Sequence, residues 1–595
     1  MNPRPRTSLL LALPLLVPLL SWQEGVTATK ASPNPQIDAQ TWSAVIHEGK
    51  ENSQVMKHLD MLTNRIGPRL TSSDNLTHAA EWARDYLRSI GYENARLEKW
   101  GEFPVGFNRG PWSGTVVAPK SLQAKMPTGL EFVTRAWSAG TKGRQTGEVI
   151  QKPTDLDAAK ANAEAYKGKW ILGSMGGGRR FSSGNRELRK FLDEAGVLGF
   201  IAPSRNELLI TSGNYRIRWD NLPTTPSITL KRSQYETILS RVESGKKVVL
   251  RFDIRNHFKK GPIPLYNVIA DLPGSEHPEQ YVVLGGHLDS WDGATGATDN
   301  GTGASTTLEA ARILKAVGAK PKRTIRFMLF SGEEQGLLGS QAYVKKHRKD
   351  ILANCSACFV HDGGTNFVSG VKGADNIQAV LAQAFRGFET IDPEFKFEVG
   401  KRPFPISGSD HWSWHSIGVP GIFYEQSGRA NYTHTHHTQY DTYDTAIPEY
   451  QRQTATVVAL TGLTVANLPE LFPRHDPSKL RQRMRRRGRM TLSAKMKGNK
   501  IVEAAQGSMP ARIGLEKGDV ILEFAGSKFK AGEGSFRNAI MGWFQDGAQE
   551  STIIVEREGK KVSLHLSRKL FQRGRRRGQR QAPKKEAAQP KVRKG

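Results

Sequence analysis

Cysteines are rare in this sequence, and so are long apolar runs. Only Cys355 and Cys358 occur in 595 residues, so no disulfide framework holds the chain together, and two thiols cannot complete a structural zinc site alone. They predict either a local disulfide or buried thiols, and a strand through both would favour thiols by pointing them to opposite faces. After the N-terminus no apolar run is long enough for a membrane-spanning helix.

Acidic residues are also scarce, chiefly at the C-terminal end. Asp and Glu number 57 against 86 Lys and Arg, and the stretch from Arg474 onward holds 31 basic but only 11 acidic residues. The Arg-rich linker and tail within this stretch lack interleaved aromatic residues and any nucleic-acid-binding fold, which favours a solvated tail over binding to nucleic acid or an anionic surface. We therefore expect no specific nucleic-acid partner.

The first 28 residues have the pattern of a signal peptide. Arg4 and Arg6 precede an apolar run over 9–20, and small residues end at Ala28. This predicts an exported protein, periplasmic or extracellular, without a transmembrane segment; a short uncleaved anchor is the alternative.

Strand and helix patterns alternate through the middle of the chain, after two helical patterns over 55–62 and 78–90. The expected elements are strands over 266–270, 281–286, 324–330 and 357–360, with helices over 304–316 and 340–347. Continuous apolar strands of this kind are typical of an α/β fold whose mostly parallel sheet is covered by helices on both faces. Ligands of such sheets bind at the carboxyl ends of the strands.

Five segments carry histidines and carboxylates at strand ends or in loops. They are Gly286-His287-Leu288-Asp289-Ser290-Trp291-Asp292, Gly296-Ala297-Thr298-Asp299-Asn300-Gly301, Ser331-Gly332-Glu333-Glu334-Gln335-Gly336, His361-Asp362-Gly363-Gly364 and His434-Thr435-His436-His437-Thr438. Histidine and carboxylate ligands without thiolate suit a catalytic zinc pair, because open N/O sites keep a position for water. A pair needs one bridging carboxylate, for which Asp299 is the candidate.

These segments resemble the co-catalytic zinc exopeptidase family that includes bacterial aminopeptidases and glutamate carboxypeptidase II. The stretches GGHLDSWDGATGATDNGTG, FSGEEQGLLGS, SGSDHWSWHSIGVPGIFYEQ and HHTQYDT carry the resemblance, in the family's order, from about Val55 to Phe472. Together, GGHLDSWD and the later HHT are most similar to the plasma glutamate carboxypeptidase branch. The resemblance implies a peptide substrate and two Zn²⁺ ions.

The roles of individual residues follow from that resemblance. His287 and Asp362 would bind one zinc, Glu334 and His437 the other, and Asp299 would bridge them. Glu333 would be the general base, Asp289 would orient the His287 ring from behind it, and His436 would contact the substrate or transition state. The Asp299-Asn300 peptide bond is expected to be cis. His411 is expected to be structural and His434 to line the pocket.

The domain boundaries are predicted from the sequence patterns and from resemblances to known domains. The expected segments are 1–28 (signal peptide), 29–126 (N-terminal part of the peptidase domain), 127–252 (inserted domain resembling protease-associated domains), 253–472 (catalytic zinc peptidase domain), 473–490 (basic linker), 491–568 (PDZ-like domain) and 569–595 (basic disordered tail). The PDZ-like stretch runs from Gln506 to Leu522, with a short helix, a glycine, a turn and an apolar strand. It predicts binding of a peptide C-terminus, or a passive docking domain, since the usual carboxylate-binding loop is not evident near 489–492.

Competing functions remain at this stage. A carboxypeptidase acting on acidic C-termini needs arginines near the site, and only Arg402 and Arg429 lie close to the late catalytic segments. An aminopeptidase needs acidic groups or a metal for the free amine, and Asp410 and Glu425 are candidates. A non-catalytic binding protein or a single-zinc aminoacyl cyclase could share the fold. The filled ligand positions favour an exopeptidase that acts on the N-termini of short peptides or dipeptides.

Overall fold

The computed structural model of the protein describes residues 32–175, 183–402, 408–478, 495–504, 509–529, 539, 543 and 549–567. Contacts between residues divide the chain into one unit that ends at His475 and another that begins at Asp476. The predicted signal peptide and basic tail, and most of the predicted linker, lie outside the described residues.

The helices of the first unit surround its sheet. They are α1 Ala39–Glu51, α2 Val55–Asp60, α3 Asp74–Ser89, α4 Lys120–Gln123, α5 Leu156–Lys160, α6 Ser183–Glu194, α7 Arg232–Glu243, α8 Thr302–Ala316, α9 Leu338–Lys346, α10 Arg348–Asn354, α11 Gln378–Ala384, α12 His411–His415, α13 Tyr432–Thr435 and α14 Pro448–Ala466. Short π-helical turns cover Met61–Ile66 and Ala297–Gly301, and short 3₁₀ turns cover Ala163–Tyr166, Trp219–Asn221, Asp375–Ile377, Phe388–Thr390 and Tyr443–Thr445.

The strands of the first unit belong to one mixed sheet. They are β1 Arg96–Ala118, β2 Phe132–Thr134, β3 Gln145–Gln151, β4 Trp170–Leu172, β5 Gly199–Pro203, β6 Ser227–Leu230, β7 Val249–Leu272, β8 His277–His287, β9 Arg323–Phe330, β10 Cys355–Val360, β11 Phe367–Gly373, β12 Glu398–Lys401 and β13 Gly421–Ser427. Their order is β12-β11-β13-β10-β8-β9-β7-β3-β4-β5-β6-β2, and β1 also pairs with β7.

The centre of the sheet is parallel, as predicted. Strands β13, β10, β8 and β9 run in the same direction, and β7 and β11 pair antiparallel on either side of them. Seven of the eight residues of β9 are buried, and β10 is buried throughout, so both faces are covered. Each strand and helix expected between 266 and 360 is present. The ends differ by at most four residues, except that the strand expected over 266–270 is the last part of the much longer β7.

Two long strands join the central sheet to the segment predicted to be an insert. Strands β1 and β7, of 23 and 24 residues, pair along nearly their whole length, and β3 extends the far end of β7 into the strands β4, β5, β6 and β2. The insert has its own core around Trp170 and Phe252. Because β7 runs through without a break, the expected boundary at 252 falls inside a strand.

Helices α8 and α14 pack against the central sheet and against one another. Nearly every residue of both is buried, which is the pattern of a helix enclosed on all sides. Cys355 and Cys358 are buried free thiols on β10, as predicted. They do not point to opposite faces, because the register of β10 against β8 shifts between them and both pack in the same apolar cluster. None of the helices in the described parts of the chain is long and apolar enough to cross a membrane.

The second unit is a small antiparallel sheet with one short described helix. Its elements are β14 Lys495–Lys497, β15 Lys500–Glu503, α15 Met509–Ile513, β16 Val520–Phe524, β17 Ser527–Lys528, β18 Glu550–Arg557 and β19 Lys560–Ser567. Its core includes Ile501, Ile521, Ile553 and Val555. The Arg557 guanidinium joins β18 to the turn before β16 through two hydrogen bonds to the carboxylate of Asp519.

Candidate metal centre

The predicted donor residues meet at one edge of the central sheet. His287 ends β8, Glu333 and Glu334 follow β9, and Asp362 follows β10. Because β10, β8 and β9 are adjacent parallel strands, their carboxyl ends lie side by side. Asp299 reaches the same place from the turn before α8.

Asp299 lies between two histidines. Its Oδ1 is 3.3 Å from His287 Nε2, and its Oδ2 is 3.0 Å from His437 Nε2. On one side His287 Nε2 is 3.2 Å from Asp362 Oδ1, and on the other His437 Nε2 is 3.0 Å from Glu334 Oε2. The five predicted ligands are therefore together, in two groups that share Asp299.

The donor set fits a pair of zinc ions. Imidazole nitrogens and carboxylate oxygens without thiolate are the ligands of open catalytic zinc sites. Glu334 Oε1 is buried and has no hydrogen-bond partner among the described residues, so it is an acceptor with nothing to accept. A cation beside it would satisfy that atom and neutralise the buried carboxylates.

The pKa values of the cluster also favour a bound cation. Burial would lower the pKa of His437, but its hydrogen bonds with Asp299 and Glu334 outweigh burial and raise the pKa to about 10. Burial raises the pKa of Glu334 to about 8, and the charge of Asp299 adds to this effect. Carboxylates concentrated in a buried site favour any bound cation.

Glu333 occupies the turn after β9 with its neighbour Glu334. Burial raises the pKa of the Glu333 carboxyl well above its usual range, and the charges of Asp362 and Glu334 act in the same direction, against His287. A carboxylate with a raised pKa accepts a proton more readily than an ordinary one, which is what a general base requires.

Asp289 supports the site differently from the sequence expectation. The Nδ1 atom of His287 is 2.9 Å from the main-chain carbonyl of Asp289 and 3.6 Å from the carboxylate, so the carbonyl is the ring's hydrogen-bond partner. The carboxylate instead accepts hydrogen bonds from Thr71 Oγ1 and from the backbone N–H groups of Glu333 and Glu334. Asp289 therefore ties the β8 loop to the β9 loop.

The turn that carries Asp299 is held by a later aspartate. The Asp441 carboxylate accepts hydrogen bonds from the backbone N–H and the hydroxyl of Thr298, at 2.5 and 2.9 Å, and burial raises the Asp441 pKa to about 7. The Asp299-Asn300 peptide bond is cis, as the sequence resemblance implied.

Arg69 is a site residue that sequence reasoning missed. Its guanidinium is fully buried and donates to five main-chain carbonyls, among them Leu288 at 2.7 Å and Gly296 at 2.7 Å. Those two carbonyls flank the loop between His287 and Asp299. The only signal in the sequence is a Gly-Pro-Arg break between two helices, which does not reveal where the side chain goes.

His436 and Tyr432 lie at the open side of the cluster. The His436 ring stacks on His437 at 3.9 Å between centroids, and its Nε2 is 3.7 Å from Asp299 Oδ2. His436 therefore lies within reach of a metal as well as of substrate. The Tyr432 ring lies 5.0 Å from that of His436, and burial and the nearby carboxylates, Asp299 first, hold the Tyr432 pKa well above its usual range. Tyr432 thus remains a hydrogen-bond donor.

The other histidines of the late segments lie outside the two donor groups. The His434 ring stacks on Tyr440 at 4.4 Å, and His411 is buried on α12 with its ring against Phe423.

The two arginines considered for carboxylate binding already have acidic neighbours. Arg402 donates to both carboxylate oxygens of Glu425, at 2.7 and 3.0 Å, and Arg429 pairs with Glu449 at 2.6 Å. Glu425 also accepts from Lys372. Asp410 is fully buried, and burial raises its pKa to about 7.

Comparisons with known proteins show which peptidases this chain resembles. Residues 267–461 match the family model described as Peptidase family M28. Carboxypeptidase Q of Bos taurus is 28% identical over 436 residues, which covers 72% of this chain and 88% of the relative. A probable zinc metalloprotease of Pyrenophora teres f. teres (strain 0-1) is 30% identical over 241 residues, which covers 35% of this chain and 50% of the relative.

The fold also has a solved counterpart. The crystal structure of a Peptidase M28 precursor from Shewanella amazonensis SB2B covers 73% of this chain and 98% of its own, with a TM-score of 0.54 and 24% identity. This likeness shows that the sheet and its helices are arranged as in that protein.

Proposed function

Since this chain is a metallo-exopeptidase with a peptidase family M28 domain over residues 267–461, we propose that it is exported and removes the N-terminal residue of dipeptides and other short peptides. His287, Asp299, Glu334, Asp362 and His437 would hold two zinc ions, which would activate the attacking water. One observation carries the proposal: the two oxygens of Asp299 face different histidines, each of which has its own second carboxylate.

The expected ligands are His287 and Asp362 for one zinc, and Glu334 and His437 for the other. Two zinc ions bound there would lower the pKa of a shared water and polarise the scissile carbonyl. Glu333 accepts a proton from that water as it attacks and then delivers the proton to the leaving amine, so bond making and breaking balance without a covalent intermediate. His436 and Tyr432, whose rings lie 5.0 Å apart at the open side of the cluster, would donate hydrogen bonds to the carbonyl oxygen as it gains charge.

A preference for a free N-terminus is supported by the pairing of the nearby arginines. Recognition of an acidic C-terminus needs an arginine free to bind a carboxylate through two hydrogen bonds. Arg402 and Arg429 are engaged by Glu425 and Glu449, as described above. Of the acidic candidates for the amine, Glu425 is paired and Asp410 is buried, so the carboxylates around Asp299 are the expected partners of a substrate ammonium group.

Export and the accessory segments belong to the same proposal. The predicted signal peptide supports a periplasmic or extracellular location. The protease-associated-like insert is supported by the separate core around Trp170. The PDZ-like domain is supported by the helix α15, Gly514 with φ of +93°, and the strand β16 that follows.

The experiment compares Ala-Leu and Ser-Met with the same dipeptides carrying acetylated amines. We expect rapid hydrolysis of the free dipeptides and little of the acetylated ones, with Glu333→Gln protein from the same purification as the control for contaminating peptidases. Faster cleavage of the acetylated set would overturn the aminopeptidase assignment in favour of a carboxypeptidase. No hydrolysis of either set, with zinc bound, would favour a binding protein or a cyclase.

A further inference from the structure

A short segment of the insert lies directly on the loop that carries His437. The backbone N–H of Thr211 donates to the His437 carbonyl at 2.8 Å, and the Thr211 hydroxyl donates to the same oxygen at 3.2 Å. Leu209 lies two residues before Thr211, and Gln439 lies two residues after His437. The backbone N–H of Leu209 donates to the side-chain carbonyl of Gln439 at 2.7 Å. The Gln439 amide donates back to the carbonyl of Glu207 at 3.2 Å. The two segments are therefore joined by a ladder of four hydrogen bonds.

His437 is the ligand that most needs such support. Its φ is +58°, in the left-handed region that residues with a side chain rarely adopt. A conformation of this kind costs about 1 kcal/mol or more and persists only where the surroundings hold it. The peptide group that Thr211 binds is the one that follows the strained Cα, so the hydrogen bonds act on the backbone that aims the imidazole.

Thr211 also contacts the other metal-bearing loop. A Cβ atom added to Gly293 would lie 1.9 Å from the Thr211 methyl carbon, so that methyl group lies against the loop between His287 and Asp299. The neighbour of Gly293, Asp292, forms a buried ion pair with Arg109 at 2.9 Å, and Arg109 donates to the carbonyl of Thr134. Thr211 is itself buried. The insert therefore contacts both loops from one side.

From these contacts we infer that Thr211 is a positioning residue for His437, and that the insert sets the affinity of the zinc held by Glu334 and His437. This inference rests on the proposed two-zinc site. Residues His287 and Asp362 lie at strand ends, and no described contact links them to the 207–211 segment. Substitution of Thr211 therefore weakens the binding of the zinc at Glu334 and His437 and leaves the zinc at His287 and Asp362 bound.

The test measures zinc affinity with a competing chelator in full-length protein, alongside metal content and thermal unfolding of the metal-free form. Thr211→Ala lowers the affinity for one of the two zinc ions by about tenfold or more, as loss of a group that supports a metal ligand generally does. Its kcat falls while KM for Ala-Leu changes little. Thr211→Val keeps the shape and loses only the hydroxyl, so it gives a smaller effect of the same kind and remains informative if the alanine variant folds poorly.

Two controls identify the affected ion. Thr229→Ala changes a half-buried threonine on β6, whose neighbouring strands β2 and β5 belong to the insert, and leaves both zinc affinities unchanged. In a His437→Ala background, Thr211→Ala causes no further weakening of the remaining zinc, whereas in a His287→Ala background it does.

Equal zinc affinities in Thr211→Ala and wild-type protein would overturn the inference. So would equal weakening of both ions together with a lower unfolding temperature, because that pattern marks a general loss of structure. Wild-type protein that binds fewer than two zinc ions would instead contradict the proposed function.

Discussion

The two halves of the candidate metal centre are built in different ways. His287 closes a central strand and has 1% of its side chain exposed, with its ring fixed by the carbonyl of Asp289. His437 belongs to a loop, has 31% of its side chain exposed, and adopts a left-handed backbone conformation held by Thr211. The sheet thus fixes one histidine, and contacts made late in the chain and by the insert fix the other.

This difference separates the stability of the fold from the assembly of the site. The half at the strand ends forms whenever the sheet forms, because its ligands are extensions of buried strands. The half in the loop needs contacts between segments more than 200 residues apart, such as those of Thr211 with His437. We therefore expect changes in the loop half to affect metal binding more than folding.

The largest expected effect comes from a residue that is neither a ligand nor a support. Glu333→Gln should leave folding and both zinc ions in place and lower kcat by about three orders of magnitude or more, because it removes proton transfer alone. Steady-state kinetics and metal content check this, with Glu334→Gln as the comparison, which should lose metal. A Glu333→Gln variant within about tenfold of wild type would show that another group is the base.

The half at the strand ends depends on Arg69, which holds the loop between His287 and Asp299. Arg69→Met should lower the free energy of unfolding by about 3 to 5 kcal/mol, because it leaves several buried carbonyls without donors. Arg69→Lys should recover only part of this, since an ammonium group cannot match the guanidinium geometry. Urea unfolding of metal-free protein measures both, and a loss below about 1 kcal/mol would mean that the loop holds its shape without Arg69.

A direct comparison of the two histidines sharpens the contrast. Both His287→Ala and His437→Ala should lose zinc. Only His287→Ala should also destabilise the metal-free fold, by about 2 kcal/mol, since it leaves a cavity in a buried site. Thermal unfolding with a chelator present distinguishes them. Equal stability losses would contradict the division of the centre into two halves.

The sequence predicts the strand-end half better than the loop half for a physical reason. His287 ends an apolar strand and Asp362 follows the next one, and adjacent parallel strands bring their carboxyl ends together. In the loop half only Glu334 has such a position, because it follows β9. The position of His437 followed only from the family resemblance, because no local pattern places a loop 138 residues later against Asp299. The same holds for Arg69 and Thr211, whose partners are distant main-chain carbonyls.

The hydrogen-bond partner of the His287 ring was not predictable from the sequence for a different reason. A carboxylate two positions after a histidine suggests a bond to the ring. In the structure the backbone turn presents the carbonyl instead, and the carboxylate reaches the N–H groups of Glu333 and Glu334. Which oxygen faces the ring depends on the turn, and the residue types do not specify it.

The smallest expected effect lies away from both halves. Arg402→Met should change kcat/KM for Ala-Leu by less than about threefold, or under 1 kcal/mol, because Arg402 is engaged by Glu425 and is not needed for a free N-terminus. Steady-state kinetics checks this. A loss of more than about tenfold, restored by Arg402→Lys, would instead place Arg402 in substrate binding.

Anomalous X-ray scattering at the zinc edge, from crystals of zinc-loaded protein, locates the metal ions themselves. We expect two peaks about 3.5 to 4 Å apart with the Asp299 carboxylate between them, one beside His287 and Asp362 and the other beside Glu334 and His437. A single peak, or two peaks that do not share Asp299, would contradict the proposed two-zinc site.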